Sequence, residues 1–216
     1  MCFSATASFG MSGILALIGL AAFRLAHHKS QRMLGCIPIF FALQQAAEGV
    51  VWLTIGRPSL QSLQYPAAYV FLFFAFIIWP LWIPLAVHIF YHRIKNIFST
   101  LLVIWGFMVS TFFGYYLLTT PFALVIEQHH IVYRFDYTQH YGVLSSLAYL
   151  MATFLPFLIA PRRIGQFFGI LVIVSYAIAY LLYHYAFISV WCFFAAGLSA
   201  YACLMIWQDN REKRRA

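Results

Sequence analysis

Residues 33–55 read MLGCIPIFFALQQAAEGVVWLTI. The stretch holds no Lys, Arg or Asp, and as a helix it is long enough to cross a bilayer core, which takes about 20 residues. Within it Gln44, Glu48 and Trp52 recur at intervals of four, and Gln45 lies one turn before Glu48, so the helix carries one polar face. An unpaired carboxylate at membrane depth costs several kcal/mol, so Glu48 must be protonated, paired or bound to a cation. The polar face therefore turns toward other helices rather than lipid. The stretch predicts an all-α membrane bundle, not a lone anchor.

Six further runs have the same character. The predicted spans cover 9–26, 33–55, 67–91, 97–119, 143–160, 165–185 and 187–207, giving a seven-transmembrane-helix bundle that makes residues 1–216 a single integral membrane domain. Only 8% of residues are charged, against about 25% in soluble domains. The net charge of +8 does not signal nucleic acid, because the basic residues fall in short clusters between apolar runs. Arg24, Lys29 and Arg32, then Arg93 and Lys95, then Arg162 and Arg163, and finally Arg211, Lys213, Arg214 and Arg215 all fall on one side. Arg57 and Arg134 alone fall on the other. By the positive-inside rule the N-terminus is outside and the C-terminus cytoplasmic. Positive charge follows the first apolar run rather than preceding it, so that run reads as an N-out anchor and not a cleaved signal peptide.

The longest connection, PFALVIEQHHIVYRFDYTQHYG (121–142), joins the fourth and fifth spans. Ile131, Tyr133, Phe135 and Tyr137 alternate there with Val132, Arg134, Asp136 and Thr138, which predicts a small outer β-hairpin or lid; an irregular amphipathic loop is the alternative. Pro80 and Pro84 each remove a backbone donor, so the third span should kink and free carbonyls. Gly165 with Gly169, and Ala42 with Ala46, have the small-xxx-small spacing of close helix contacts.

Depth suggests what meets Glu48. The outer half of the sixth span brings Tyr176, Tyr180 and His184; the seventh begins with Ser189, Trp191 and Cys192; the N-terminal stretch and the long loop bring Cys2, Ser4, Thr6, His129, His130 and His140. These residues predict a polar pocket for a small molecule, lipid headgroup or metal ion. Glu48 is its anchor, with Gln44, Gln45, Tyr180 and His184 beside it and Trp52 and Trp191 as walls. Glu48, His184, Cys2 and Cys192 together have the donor types that would ligate zinc or copper. A Cys2–Cys192 disulfide and simple packing thiols are the alternatives. His88 and His92 share a helix face at i, i+4 and read as interfacial. No lysine lies inside a span, which excludes a retinal Schiff base. No internal repeat of the transporter kind is visible.

The opening MCFSATASF and the later QQAAEGVVWL resemble a family of uncharacterised bacterial multi-pass membrane proteins that open with Met-Cys-Phe-Ser and carry Gln-x-x-Glu with a nearby Trp in the second helix. Cys2, Phe3, Ser4, Gln45, Glu48 and Trp52 match, all within the first quarter of the chain. The resemblance implies a bacterial inner-membrane protein in which Cys2 and Glu48 share a site. It supplies no activity. The expectation is therefore a binding or sensing protein embedded in the lipid bilayer. Its rivals are a membrane-embedded metal- or thiol-dependent enzyme acting on lipid, and a proton-coupled transporter using Glu48.

Overall fold

The computed structural model describes residues 4–91, 97–135 and 142–215, and for Gly142, Val143 and His184 the backbone alone. Ser4 starts the first helix, α1 (Ala5–Leu25), its Oγ accepting the Ala7 N–H at 3.2 Å. A tight turn leads into α2 (Lys29–Thr54). The third span is α3 (Gln61–Phe73), a five-residue π-turn (Phe74–Ile78) and α4 (Trp79–Phe90). Next come α5 (Ile97–Thr119), strands β1 (Phe122–Glu127) and β2 (His130–Phe135), α6 (Gly142–Leu158) and α7 (Arg163–Leu182). The last span is broken at Ser199–Ala200 into α8 (Phe187–Leu198) and α9 (Tyr201–Lys213).

The result is an all-α bundle with one small hairpin. Among the described residues six helical segments are long and apolar enough to cross a membrane: α1, α2, the Pro58–Phe90 span, α5, α7, and α8 with α9. The run expected over 143–160 forms α6, whose apolar part, Leu144–Leu158, is shorter. On α1 and α5 most of the apolar surface faces outward, as with Leu17 and Leu118. By contrast α2 is central, packed against α1, α3, α4, α8 and α9. That position explains why Gln44, Gln45 and Glu48 are 0% exposed.

The expected kink takes the form of the π-turn. Pro80 has no N–H, so the i→i+5 bond that the Ala75 carbonyl would accept in a π-turn has no donor. The Tyr149 hydroxyl of α6 donates to that carbonyl instead, and Ser110 Oγ of α5 donates to the Ile77 carbonyl at 2.9 Å. Neighbouring helices thus satisfy the backbone that the kink exposes. Gly106 of α5 lets the two spans approach here: a Cβ at that position would lie 2.2 Å from the Pro80 carbonyl oxygen and 2.6 Å from Pro84 Cγ.

The hairpin pairs Phe122 with Phe135 through to Glu127 with His130, leaving a two-residue turn. Gln128 and His129 both have positive φ, 46° and 63°, which the primed hairpin turn requires and which glycine or asparagine would adopt more easily. Simple alternation does not describe β2. Ile131 and Tyr133 are buried on one face, in a cluster with Phe71, Phe76 and Cys192, while Val132 is buried on the other in the main core. The hairpin is wedged into the bundle end rather than lying above it. His140 and Asp136 lie outside the described residues, as do Cys2 and His92.

A polar clasp closes the opposite end. Asp209 of α9, only 6% exposed, accepts from Gln31 Nε2 at 2.7 Å and pairs with Arg162 Nη1 at 2.8 Å and Lys213 Nζ at 2.9 Å. Gln31 Oε1 accepts the backbone N–H of His27 at 2.7 Å and of His28 at 3.2 Å, and Asn210 Nδ2 donates to the Leu25 carbonyl at 2.7 Å. The helix-1 turn, the turn before α7 and the tail are thereby tied together. Far from trailing as a basic tail, the C-terminal residues extend the last helix.

Candidate functional site

At the hairpin end, a cavity of about 580 Å³ opens between the hairpin and α5, α6, α7 and α8. Among the described residues ten of those lining it are aromatic: Phe76, Phe113, Tyr116, Tyr133, Phe135, Tyr149, Tyr176, Tyr185, Phe187 and Trp191. The polar remainder includes Ser145, Ser146, Ser189 and Cys192. Glu127 and Arg134 also line it, and they pair with each other across the hairpin.

The geometry of α8 makes the inner wall. It begins at Phe187, so Ser189 and Cys192, three residues apart, share a face directed at α2. Ser189 Oγ donates to Glu48 Oε1. Gln44 Nε2 lies 3.4 Å from Cys192 Sγ and 3.3 Å from the Phe71 carbonyl, while its Oε1 accepts Trp79 Nε1–H at 2.7 Å. The polar face of α2 therefore stands directly behind the cavity wall, each cavity-side group held by a fully buried partner.

Sequence depth located this end of the bundle but misjudged which groups touch the space. Of the expected ligand-contacting residues, Trp191 lines the cavity. Glu48 and Gln44 reach it only through Ser189 and Cys192. Gln45 and Trp52 do not line it; both amide atoms of Gln45 and the Nε1 of Trp52 are buried without a partner among the described residues. Tyr180 is 43% exposed on α7 and is not a lining residue. His184 sits in a short 3-10 turn, with its side chain outside what is described.

The metal expectation finds no support. Glu48 and Cys192 lie on facing helices, but Cys2 is outside the described residues, and among those described no three His, Cys, Asp or Glu side chains converge to hold an ion. Cys192 is a free thiol among the described residues, and Cys2, its expected disulfide partner, lies outside them. At the other end His88 Nδ1 lies 3.0 Å from Ser99 Oγ, a local contact.

Sequence comparison reaches the same boundary. The chain belongs to a family of unknown function, DUF6629, matched over residues 1–216. No curated protein and no solved structure matches it. Membership fits the expectation of an uncharacterised family and assigns no chemistry.

Several lining residues escaped the sequence reading. Tyr149, Ser145 and Ser146 stand on α6, and Tyr116 lies in the last turn of α5, in runs where a serine or tyrosine has no distinguishing period. The hairpin offered the better signal: its buried strand brings Ile131, Tyr133 and Phe135 to the cavity. His130 packs edge-on to Tyr183 and Tyr185, with centroids 5.2 and 5.6 Å away. Burial there lowers its pKa from the ordinary 6.5, with His129 adding to the shift.

Proposed function

We propose that this is a seven-span protein of the bacterial inner membrane, N-terminus outside and C-terminus cytoplasmic, that binds a small molecule or a lipid headgroup in the hairpin-end cavity. One observation carries the reading: an aromatic-walled space of about 580 Å³ whose Ser189 and Cys192 are held from behind by the buried Glu48 and Gln44. Small-molecule sites combine that size, roughly 300–1,000 Å³, with apolar walls and a few fixed polar groups. Burying Gln44 and Glu48 in the most central helix is costly unless they are hydrogen-bonded, and here their bonds fix Ser189 and Cys192, two residues of the cavity wall. The orientation rests on the basic clusters at the clasp end. With 17 residues α6 is at the short limit for a span.

Native mass spectrometry of the protein released from lipid nanodiscs tests the reading. Wild type should carry a small-molecule or single-lipid adduct that is lost in Trp191→Leu. Identical bare-mass spectra for wild type and variant would defeat it.

A second reading, a membrane-embedded enzyme, draws on the Ser189–Glu48 hydrogen bond, since a carboxylate placed to take a hydroxyl proton is how nucleophiles are activated. Labelling of Ser189 by a serine-directed fluorophosphonate, abolished in Glu48→Gln, is its expected signature. Absence of labelling would dispose of it.

A further inference from the structure

We propose that the clasp end of the bundle is a docking surface for anionic phospholipid headgroups, which supply the counter-charge that the chain itself lacks. The inference uses the membrane setting proposed above but neither the cavity nor its ligand.

The chain carries five acidic residues against thirteen Lys and Arg. Glu48 is buried against Ser189 and Glu127 pairs with Arg134, both toward the hairpin end, and Asp136 lies outside the described residues. Asp209 and Glu212 stand at the clasp end, and both are taken. Arg162 bridges them at 2.8 and 3.1 Å, and Lys213 holds Asp209 at 2.9 Å. Around this pair Arg24, Lys29, Arg32, Arg163, Arg211 and Arg214 are exposed and form no ion pair among the described residues. The clasp also gathers these cations, because Gln31 and Asn210 tie the turn between α1 and α2 to α9, and Arg162 ties in the start of α7. Like charges held close in this way repel one another unless an outside anion sits among them.

The side chains beneath the cations say which anion. On α9 Leu204, Trp207 and Arg211 fall on one outward face at i, i+3 and i+7, with the Arg211 guanidinium 5.3 Å from the centre of the Trp207 ring. Helix α7 runs the other way and repeats the order in reverse: Arg163, then Phe167, Ile170 and Val174, all exposed at i, i+4, i+7 and i+11. Leu17, Leu20 and Arg24 follow the same course on α1. These helices are neighbours, since α9 packs against both α1 and α7 and the Phe167 and Tyr201 rings meet at 6.3 Å. Each presents aliphatic side chains and then a cation, with an aromatic ring between them on α7 and α9.

That order matches a lipid leaflet read from tail to phosphate, with the rings at the level where interfacial aromatic belts form. Seven residues of helix rise about 10 Å, enough to pass from hydrocarbon through a headgroup layer about 5–8 Å deep. Anionic lipids attract basic segments at this level. A soluble polyanion such as a nucleic acid needs cations standing clear of hydrocarbon, whereas these end lipid-facing rows.

Native mass spectrometry of the full-length protein released from nanodiscs of equimolar phosphatidylglycerol and phosphatidylethanolamine tests this. Lipids retained by wild type should be enriched in phosphatidylglycerol roughly fivefold, the ratio that about 1 kcal/mol per cation near the membrane surface gives. The triple variant Arg24→Gln/Arg163→Gln/Arg211→Gln should bring the enrichment under about twofold. Arg57→Gln, at the opposite end of α2 from Lys29, should keep it, and so should Trp191→Leu, which tests the cavity. Equal amounts of the two lipids on wild type overturn the inference, and that comparison needs no variant to fold. Enrichment unchanged in the triple variant, or lost equally in Arg57→Gln, also overturns it by placing the lipid elsewhere. Equal lipids together with tight binding of a single-stranded oligonucleotide would assign the surface to a soluble polyanion instead. An adduct lost in Trp191→Leu but kept in the triple variant belongs to the cavity, so the two claims fail separately.

Discussion

Replacing Tyr149 with Phe removes one oxygen atom and should destabilise the bundle out of proportion to its size. The hydroxyl donates to the Ala75 carbonyl, which lies five residues before Pro80 in the π-turn. A proline there has no N–H, so no backbone donor replaces the lost one. The ring itself keeps its contacts with Trp191 at 5.4 Å and Phe113 at 5.6 Å, so packing is spared. An unsatisfied buried acceptor costs about 1–3 kcal/mol in soluble proteins. Between membrane helices hydrogen bonds average only about 0.6 kcal/mol and reach about 1.7, because the unfolded chain also finds partners. Ala75 belongs at the upper end of the membrane range, and a loss of about 1–2 kcal/mol is expected. The assay is reversible unfolding in mixed lipid–detergent micelles by SDS titration. The decisive control is the Pro80→Ala background, where a restored N–H can serve the kink; there Tyr149→Phe should cost under about 0.5 kcal/mol. Equal losses in both backgrounds would refute the reasoning, as would no loss in the wild-type background.

Three other outcomes follow from the fold. Gly106→Ala places a Cβ 2.2 Å from the Pro80 carbonyl oxygen, a backbone atom that cannot swing aside, and should cost about 1–3 kcal/mol in the same titration; unchanged stability would mean that the spans do not meet there. Asp209→Ala breaks the clasp, and because Arg162 and Lys213 are partly solvated its cost should be nearer about 1–2 kcal/mol than that of a fully buried pair; faster hydrogen exchange at 27–31 and 162–166 should accompany it, and exchange confined to the tail would contradict the clasp. His130 is held neutral by burial, so as pH falls below its unfolded value of about 6.5 the unfolded hairpin takes the proton first and the hairpin loses stability, an effect absent above that pH. Protection over 130–135, taken relative to the intrinsic exchange rate at each pH, should therefore fall between pH 7.5 and pH 5 in wild type and stay flat in His130→Phe; the same fall in both would clear His130 of the role.

How much of this was legible in the sequence depends on what kind of signal each feature left. Long apolar runs and the basic clusters announced the spans, since crossing hydrocarbon imposes length and composition directly. Pro80 and Pro84 announced a distortion, although not that Tyr149 and Ser110 would satisfy it. The interval of four from Gln44 to Glu48 announced a buried polar face on α2. Its partners did not show, because Ser189 and Cys192 look like ordinary small residues of an apolar helix. For the same reason depth alone named Tyr180, which points outward, and passed over Tyr149. Gln31 and Asp209 belong to turns and tail by composition, and only the folded chain, bringing them together across 178 residues of sequence, makes them a buried pair. Alternation in 131–137 gave the hairpin but not its depth: both faces of β2 are buried, a circumstance that a two-fold pattern with one wet face does not describe.

The central claim is that the space behind the hairpin is a binding site whose polar wall is held by Glu48. A high-resolution experimental density map of the protein in nanodiscs made from its own membrane lipids tests it most directly. The account predicts non-protein density against the aromatic wall of the cavity, with Ser189 still bonded to Glu48. A cavity collapsed by inward packing of Tyr176 and Phe135, with Ser189 turned away from Glu48, would contradict it.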